Sequence, residues 1–280
     1  MRGVFRWPSG RPLVYAGAPV LAALTEQSEW IEDASPETAD LDETTRLALA
    51  QAWLDDARKE HASIVAFTRL SAQLLAIGAP PSLLEEAHRA ALDEIQHAQM
   101  CFTLASMYGG RWNGPGAMPM EVMRHFTADR ATIAREALIE GCLGEGMAAV
   151  VADVMLGATT DESVKSVWES ITRDERHHAE FAWELVRWCI DTGDRTVTEA
   201  LATALGDFVL AIELPPLPPG VDTNVWIAHG RPSPEQLKRV HEVVRAEVGE
   251  VVWALPKMKE MLNASSARRR GAPKSRRERG

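Results

Sequence analysis

The feature that most constrains this chain is a short motif that occurs twice. Ala91-Leu-Asp-Glu-Ile-Gln-His-Ala aligns with Thr172-Arg-Asp-Glu-Arg-His-His-Ala at an offset of 81 residues, and each copy contains Asp-Glu-x-x-His-Ala. Residues i and i+3 share one face of a helix, so Glu94 with His97, and Glu175 with His178, each present a carboxylate and an imidazole together. Apolar residues follow on later turns (Phe102 and Leu104; Phe181 and Leu185), so both pairs face a core. Burying two such pairs uncompensated would cost several kcal/mol each. A dinuclear metal centre removes that cost.

The surroundings of the two copies read as helical. Tyr occurs twice, β-branched alternation is rare, and Ala, Leu, Glu and Arg dominate the long segments. A stripe of apolar or small residues from Leu47 through Trp53, Ala57, Ile64 and Phe67 to Leu74 predicts a first helix over about 41–77. Gly78-Ala-Pro-Pro stops it, and Ser82 is the expected N-cap of a second helix ending near Met107. After a Gly- and Pro-rich connection, a third helix is expected over 129–156 and a fourth over 161–191. The expected organisation is an irregular N-terminal segment (1–40), a body of two helical hairpins (41–191), accessory helices with a Pro-rich linker (192–263) and a disordered basic tail (264–280).

A metal site built in a helical bundle takes a Glu from each of two helices and Glu-x-x-His from each of the other two. Helix one offers Glu60, which lies 34 residues before Glu94, a spacing that sets two antiparallel helices at one level. Helix three offers Glu145 and, as an alternative, Glu140; either can reach. The alignment of Glu60-His-Ala-Ser-Ile-Val-Ala with Glu145-Gly-Met-Ala-Ala-Val-Val favours Glu145. Five residues of α-helix turn through about 140°, which argues against both serving one site. Asp93 and Asp174 are expected behind the ligands, accepting the other ring N–H of an opposing His. His61 and His177 point away, and Cys142 reads as a small buried filler. Carboxylates and imidazoles without thiolate suit two iron ions, with manganese or a mixed pair as alternatives, rather than structural zinc. Gly141, Gly144 and Gly146 weaken helix three and suggest room for a small molecule or a close helix crossing.

Charge and composition bound the partners. The chain has 280 residues and a formal net charge of −10, yet residues 268–280 hold seven basic side chains and one acidic one, so the remainder is more acidic still. Such a body argues against a nucleic-acid groove. No run approaches the roughly 18 consecutive apolar residues of a membrane span, and no signal peptide is expected. Three cysteines without a pairing motif suit a reducing, cytoplasmic setting.

The pattern carried by Glu60 in KEHAS, Glu94 and His97 in DEIQHA, Glu145 (or Glu140), and Glu175 and His178 in DERHHA resembles the ferritin-like superfamily of di-iron carboxylate proteins. The resemblance covers about residues 41–191, and the paired motifs look more like the rubrerythrin-like and oxygenase branches than iron-storage ferritins. It implies an all-α fold, a ferritin-like four-helix bundle extended by the irregular N-terminal segment and the C-terminal helices. It also implies a dioxygen- or peroxide-dependent oxidoreductase that hydroxylates, N-oxygenates or desaturates a small or carrier-bound substrate with an external electron donor. A homodimer is a possible assembly. Iron oxidation or peroxide scavenging, and a non-catalytic helical metal-binding protein, are the alternatives, since one scaffold hosts many reactions.

Overall fold

A computed structural model describes residues 11–15, 18–119, 127–207 and 215–243. The basic tail and most of the last expected helix lie outside them. Four long helical rods dominate. The helix α1 (Glu43–Ala76) turns back into α2 (Pro81–Gly109). A third rod, Arg130–Ala158, is continuous but changes winding: α3 (Arg130–Glu136) passes through a nine-residue π-helical stretch, Ala137–Glu145, into α4 (Gly146–Ala158). It is followed by α5 (Glu162–Asp191). Two shorter helices, α6 (Arg195–Asp207) and α7 (Thr223–Ala228), pack on α3 and α4 respectively, and residues 234–243 are helical as well. The described chain is thus all-α apart from two small antiparallel ribbons. In one, β1 (Val14–Tyr15) pairs with β2 (Ala18–Pro19); in the other, β3 (Leu24–Glu26) pairs with β4 (Asn113–Pro115), with Leu24 opposite Pro115. The ribbons give the N-terminal segment more order than its expected irregularity.

Local chemistry accounts for the ends. Asp42, Asp129 and Asp161 each accept hydrogen bonds from backbone N–H groups of the first turns of α1, α3 and α5. The expected cap at Ser82 is corrected: Pro80 is the N-cap residue, without a side-chain cap, and Pro81 opens α2. Proline suits the first helical position because its missing N–H would have had no helical partner there. At the other end α2 stops on Gly110, whose φ of 68° is left-handed backbone.

The apolar interior falls into two clusters. One gathers Trp53, Ala98, Phe102, Met147, Met155, Trp168 and Ile171. The other gathers Phe67, Leu70, Ala90, Leu138, Cys142, Phe181 and Leu185. On every rod the chain passes from one cluster to the other across a short polar interval: Glu60 on α1, Glu94 and His97 on α2, Glu145 at the end of the π stretch, and Glu175 and His178 on α5. These six side chains are all buried. The Arg130–Ala158 rod is long and apolar enough to cross a membrane, but 61% of its most apolar window is buried inside the molecule, where the rod packs along α5.

Glycine sets how closely that rod approaches α5. A Cβ on Gly141 would lie 2.5 Å from the Cβ of Ala182, so only glycine fits there. Gly146 has open space around it. The close-crossing expectation therefore applies to Gly141, and not to the whole glycine run.

Candidate metal centre

Each ligand candidate reaches the interior for a local reason. Glu94 and His97 are one turn apart on α2, and Glu175 and His178 one turn apart on α5, so each pair projects from a single face. Because α2 and α5 run antiparallel, the two copies of the motif meet in opposite sense. Glu60 and Glu145 close the remaining sides. Two groups of potential ligand atoms result, each with all its atoms within 4.8 Å of one another: Glu60, Glu94, His97 and Glu175 in one, and Glu94, Glu145, Glu175 and His178 in the other. Glu94 and Glu175 belong to both.

The histidines are oriented by a reciprocal brace. His97 Nε2 on α2 donates to Asp174 Oδ2 on α5 at 3.3 Å, and His178 Nε2 on α5 donates to Asp93 Oδ2 on α2 at 3.2 Å. With the carboxylates accepting, both Nε2 atoms carry a proton and both Nδ1 atoms turn inward. His97 Nδ1 lies 3.8 Å from Glu94 and 3.7 Å from Glu175, and His178 Nδ1 lies 3.4 Å from Glu94. Arg173 Nε donates to Asp174 Oδ1 at 2.8 Å, and Ser170 Oγ donates to Oδ2 at 3.4 Å. Burial would raise the Asp174 carboxyl, but His97 and Arg173 outweigh it and hold it well below the usual carboxylate range.

Most of the inward-facing atoms lack a hydrogen-bond partner. Of the eight carboxylate oxygens and two Nδ1 atoms, all but Glu60 Oε1 are buried without a hydrogen bond. Native interiors satisfy almost every buried polar group, and such a concentration is compatible with a metal site. The titration behaviour agrees. Burial first, then the charge of Glu94, pushes Glu60 well above its ordinary value; burial and the charges of Glu145 and Glu94 do the same to Glu175. Burial pushes Glu145 up to about 7. At His97 burial acts downward, but Asp174 and Glu94 overcome it and push the ring up to about 10; His178 is raised by Asp93 and Glu94 against its burial. Glu94 alone moves down, because His97 and His178 outweigh its own burial. The cluster is short of positive charge, which protons or cations can supply.

Glu140 sits elsewhere. In π winding the i→i+5 hydrogen bonds stack residues five apart along one side, so the 140° separation expected from α-helix does not hold between Glu140 and Glu145. Ion pairing decides instead: Glu140 accepts from Arg11 Nε at 3.2 Å and lies 3.7 Å from Arg69 Nη2, outside both ligand groups. His61 packs edge-on against Trp30 at 5.3 Å, His177 pairs with Glu86, and Cys142 is buried. Arg11 and the π stretch had no expected place beside the site. The Gly141, Gly144, Gly146 run was the available signal for the altered winding; for Arg11 there was none.

Comparison with protein-family models, with curated proteins and with solved structures finds no match for this chain.

Proposed function

We propose that this protein is a di-metal carboxylate oxidoreductase with a ferritin-like four-helix bundle, of the dioxygen-activating kind. The observation that carries the reading is the set of buried, unpartnered carboxylate and Nδ1 atoms contributed by Glu60, Glu94, His97, Glu145, Glu175 and His178. Glu94 and Glu175, present in both groups, would be shared by two ions; Glu60 with His97 would complete one site and Glu145 with His178 the other. Four glutamates balance two divalent cations. A buried set of oxygen and imidazole ligands, with no cysteine in it, suits iron, manganese or a mixed pair.

A pair of iron ions held there would supply the redox chemistry by which dioxygen or peroxide oxidises an organic substrate, with electrons from an external donor. The chain itself contributes orientation and dryness. Asp93 and Asp174 hold the Nε2 protons and so fix which nitrogen faces inward. Trp53, Phe102, Phe67 and Leu138 cap the polar layer on both sides and exclude water from it. Exclusion of water strengthens every charge interaction in the layer.

Metal analysis tests the reading. Protein loaded anaerobically with Fe(II) is expected to hold two ions per chain and to consume dioxygen on mixing, and Glu94→Ala and His178→Ala are expected to lose metal. Fewer than one ion per chain, with no loss in either variant, overturns it.

A further inference from the structure

A second, partly buried charged cluster lies one π turn from Glu145. Leu13 N donates to Ala62 O at 3.3 Å, which docks the N-terminal segment on α1 and turns Arg11 into the interior. Arg11 is 3% exposed. Its Cζ stands 5.6 Å over the Phe67 ring, and that ring lies 5.3 Å from the ring of His178. Arg11 therefore approaches the Glu/His cluster with a single aromatic side chain between.

The guanidinium is under-used. Arginine has five N–H donors, yet among the described residues Arg11 makes one hydrogen bond, from Nε to Glu140. Arg69 Nη2 lies 3.7 Å from Glu140 and 3.8 Å from Glu136, too far for hydrogen bonds, and its Nε is buried without a partner. A structural arginine–glutamate pair at this depth ordinarily closes as a two-pronged fork. Here the single carboxylate on Arg11 is monodentate and comes from a partly exposed residue of the π stretch, which leaves it replaceable.

We infer that Arg11 and Arg69 form a subsite for the carboxylate of a small organic acid, which displaces Glu140 and is separated from the Glu/His cluster by the Phe67 ring. A planar carboxylate matches the guanidinium fork. The inference names the substrate class for the proposed oxidoreductase and rests on that reading only for what happens next; binding itself is measured separately.

Octanoate titrated into the full-length protein as purified, followed by calorimetry, tests it, with octylamine and inorganic phosphate as controls. Octanoate is expected to bind and the two controls to bind at least tenfold more weakly. Arg11→Gln is expected to weaken octanoate at least tenfold with metal content unchanged, whereas octanoate held only by a metal ion would be unaffected by that change. Glu140→Gln removes the competing carboxylate and is expected to tighten binding severalfold. Where Arg11→Gln does not fold, Glu140→Gln decides: unchanged or weaker binding overturns the subsite. Two ions per chain without octanoate binding sinks the subsite alone, and octanoate binding with less than one ion per chain sinks the oxidoreductase reading alone.

Discussion

His97 Nε2 donates to Asp174 Oδ2 across the α2–α5 interface at 3.3 Å, and the same bond recurs in reverse between His178 and Asp93. Each copy of the duplicated motif therefore supplies the aspartate that orients the other copy's histidine. Asp174→Asn would remove the charge that fixes the His97 tautomer while keeping the side chain's shape. Metal affinity is expected to fall by about 10–100-fold, read by competition with a chelator, with helicity unchanged by circular dichroism.

Glu145 and Glu140 are separated by five residues but occupy different networks. Glu145→Gln is expected to reduce bound metal from two ions to about one per chain. Glu140→Gln leaves both ligand groups intact and is expected to keep two. Elemental analysis of the two purified variants checks the contrast, and equal loss in both would refute the assignment.

Stability should depend on pH in opposite senses with and without metal. In the metal-free protein Glu60 and Glu175 titrate well above their ordinary values and Glu145 at about 7. A raised carboxyl stabilises the fold below its unfolded value, near 4.5, and that contribution is lost as pH rises through the folded value. The Tm of chelated protein is therefore expected to fall between about pH 4.5 and 7. Metal-loaded protein is expected to gain stability over the same range, because protons then compete with the ions for the same oxygens. Parallel melts across that range check the sign.

Gly141 and Gly146 lie five residues apart and should respond to alanine in opposite directions. Gly141→Ala forces a Cβ to within 2.5 Å of the Ala182 Cβ, and a loss of about 1–3 kcal/mol is expected from overpacking. Gly146→Ala enters open space at the start of α4, and a gain of up to about 1 kcal/mol follows from helix propensity. Denaturant unfolding of both variants measures the difference.

The partly buried pair of Asp56 with Arg231 joins α1 to the segment after α7. Burial raises the Asp56 carboxyl, but Arg231 and Lys59 overcome it and hold it down at about 2. A depressed carboxyl stabilises the fold above its unfolded value, near 3.8, and that contribution is lost as pH falls toward 2. The stability difference between wild type and Asp56→Asn is expected to be largest above pH 4 and to shrink below it, as measured by chemical denaturation at each pH.

Much of this was legible before any coordinates. The helices at 43–76 and 162–191 were expected over about 41–77 and 161–191, and the six residues preferred from the paired motif, the Glu60 spacing and the Glu145 alignment have side chains that lie together in two overlapping groups. The misses have physical causes. Ser82 looked like a cap because the side-chain signal is local, while Pro80-Pro81 set the N-cap two residues earlier. Glu140 and Glu145 were separated by α-helical angles that the π stretch does not keep. Arg11 lies in a segment with no periodicity, and its burial depends on a distant π stretch and a distant aromatic ring.

The amino-acid sequence alone determined what is periodic and local: that the chain is helical, and that two Glu-x-x-His pairs share a face with their aspartates beside them. These follow from helix geometry acting over one or two turns. Only the tertiary structure decided how the copies engage each other, each aspartate serving the opposite histidine, and which glutamate of the third rod enters the centre. Those outcomes depend on antiparallel rods crossing at one level and on a guanidinium that pairs with Glu140 from 129 positions away. A through-space ion pair of that kind has no period for a sequence to display.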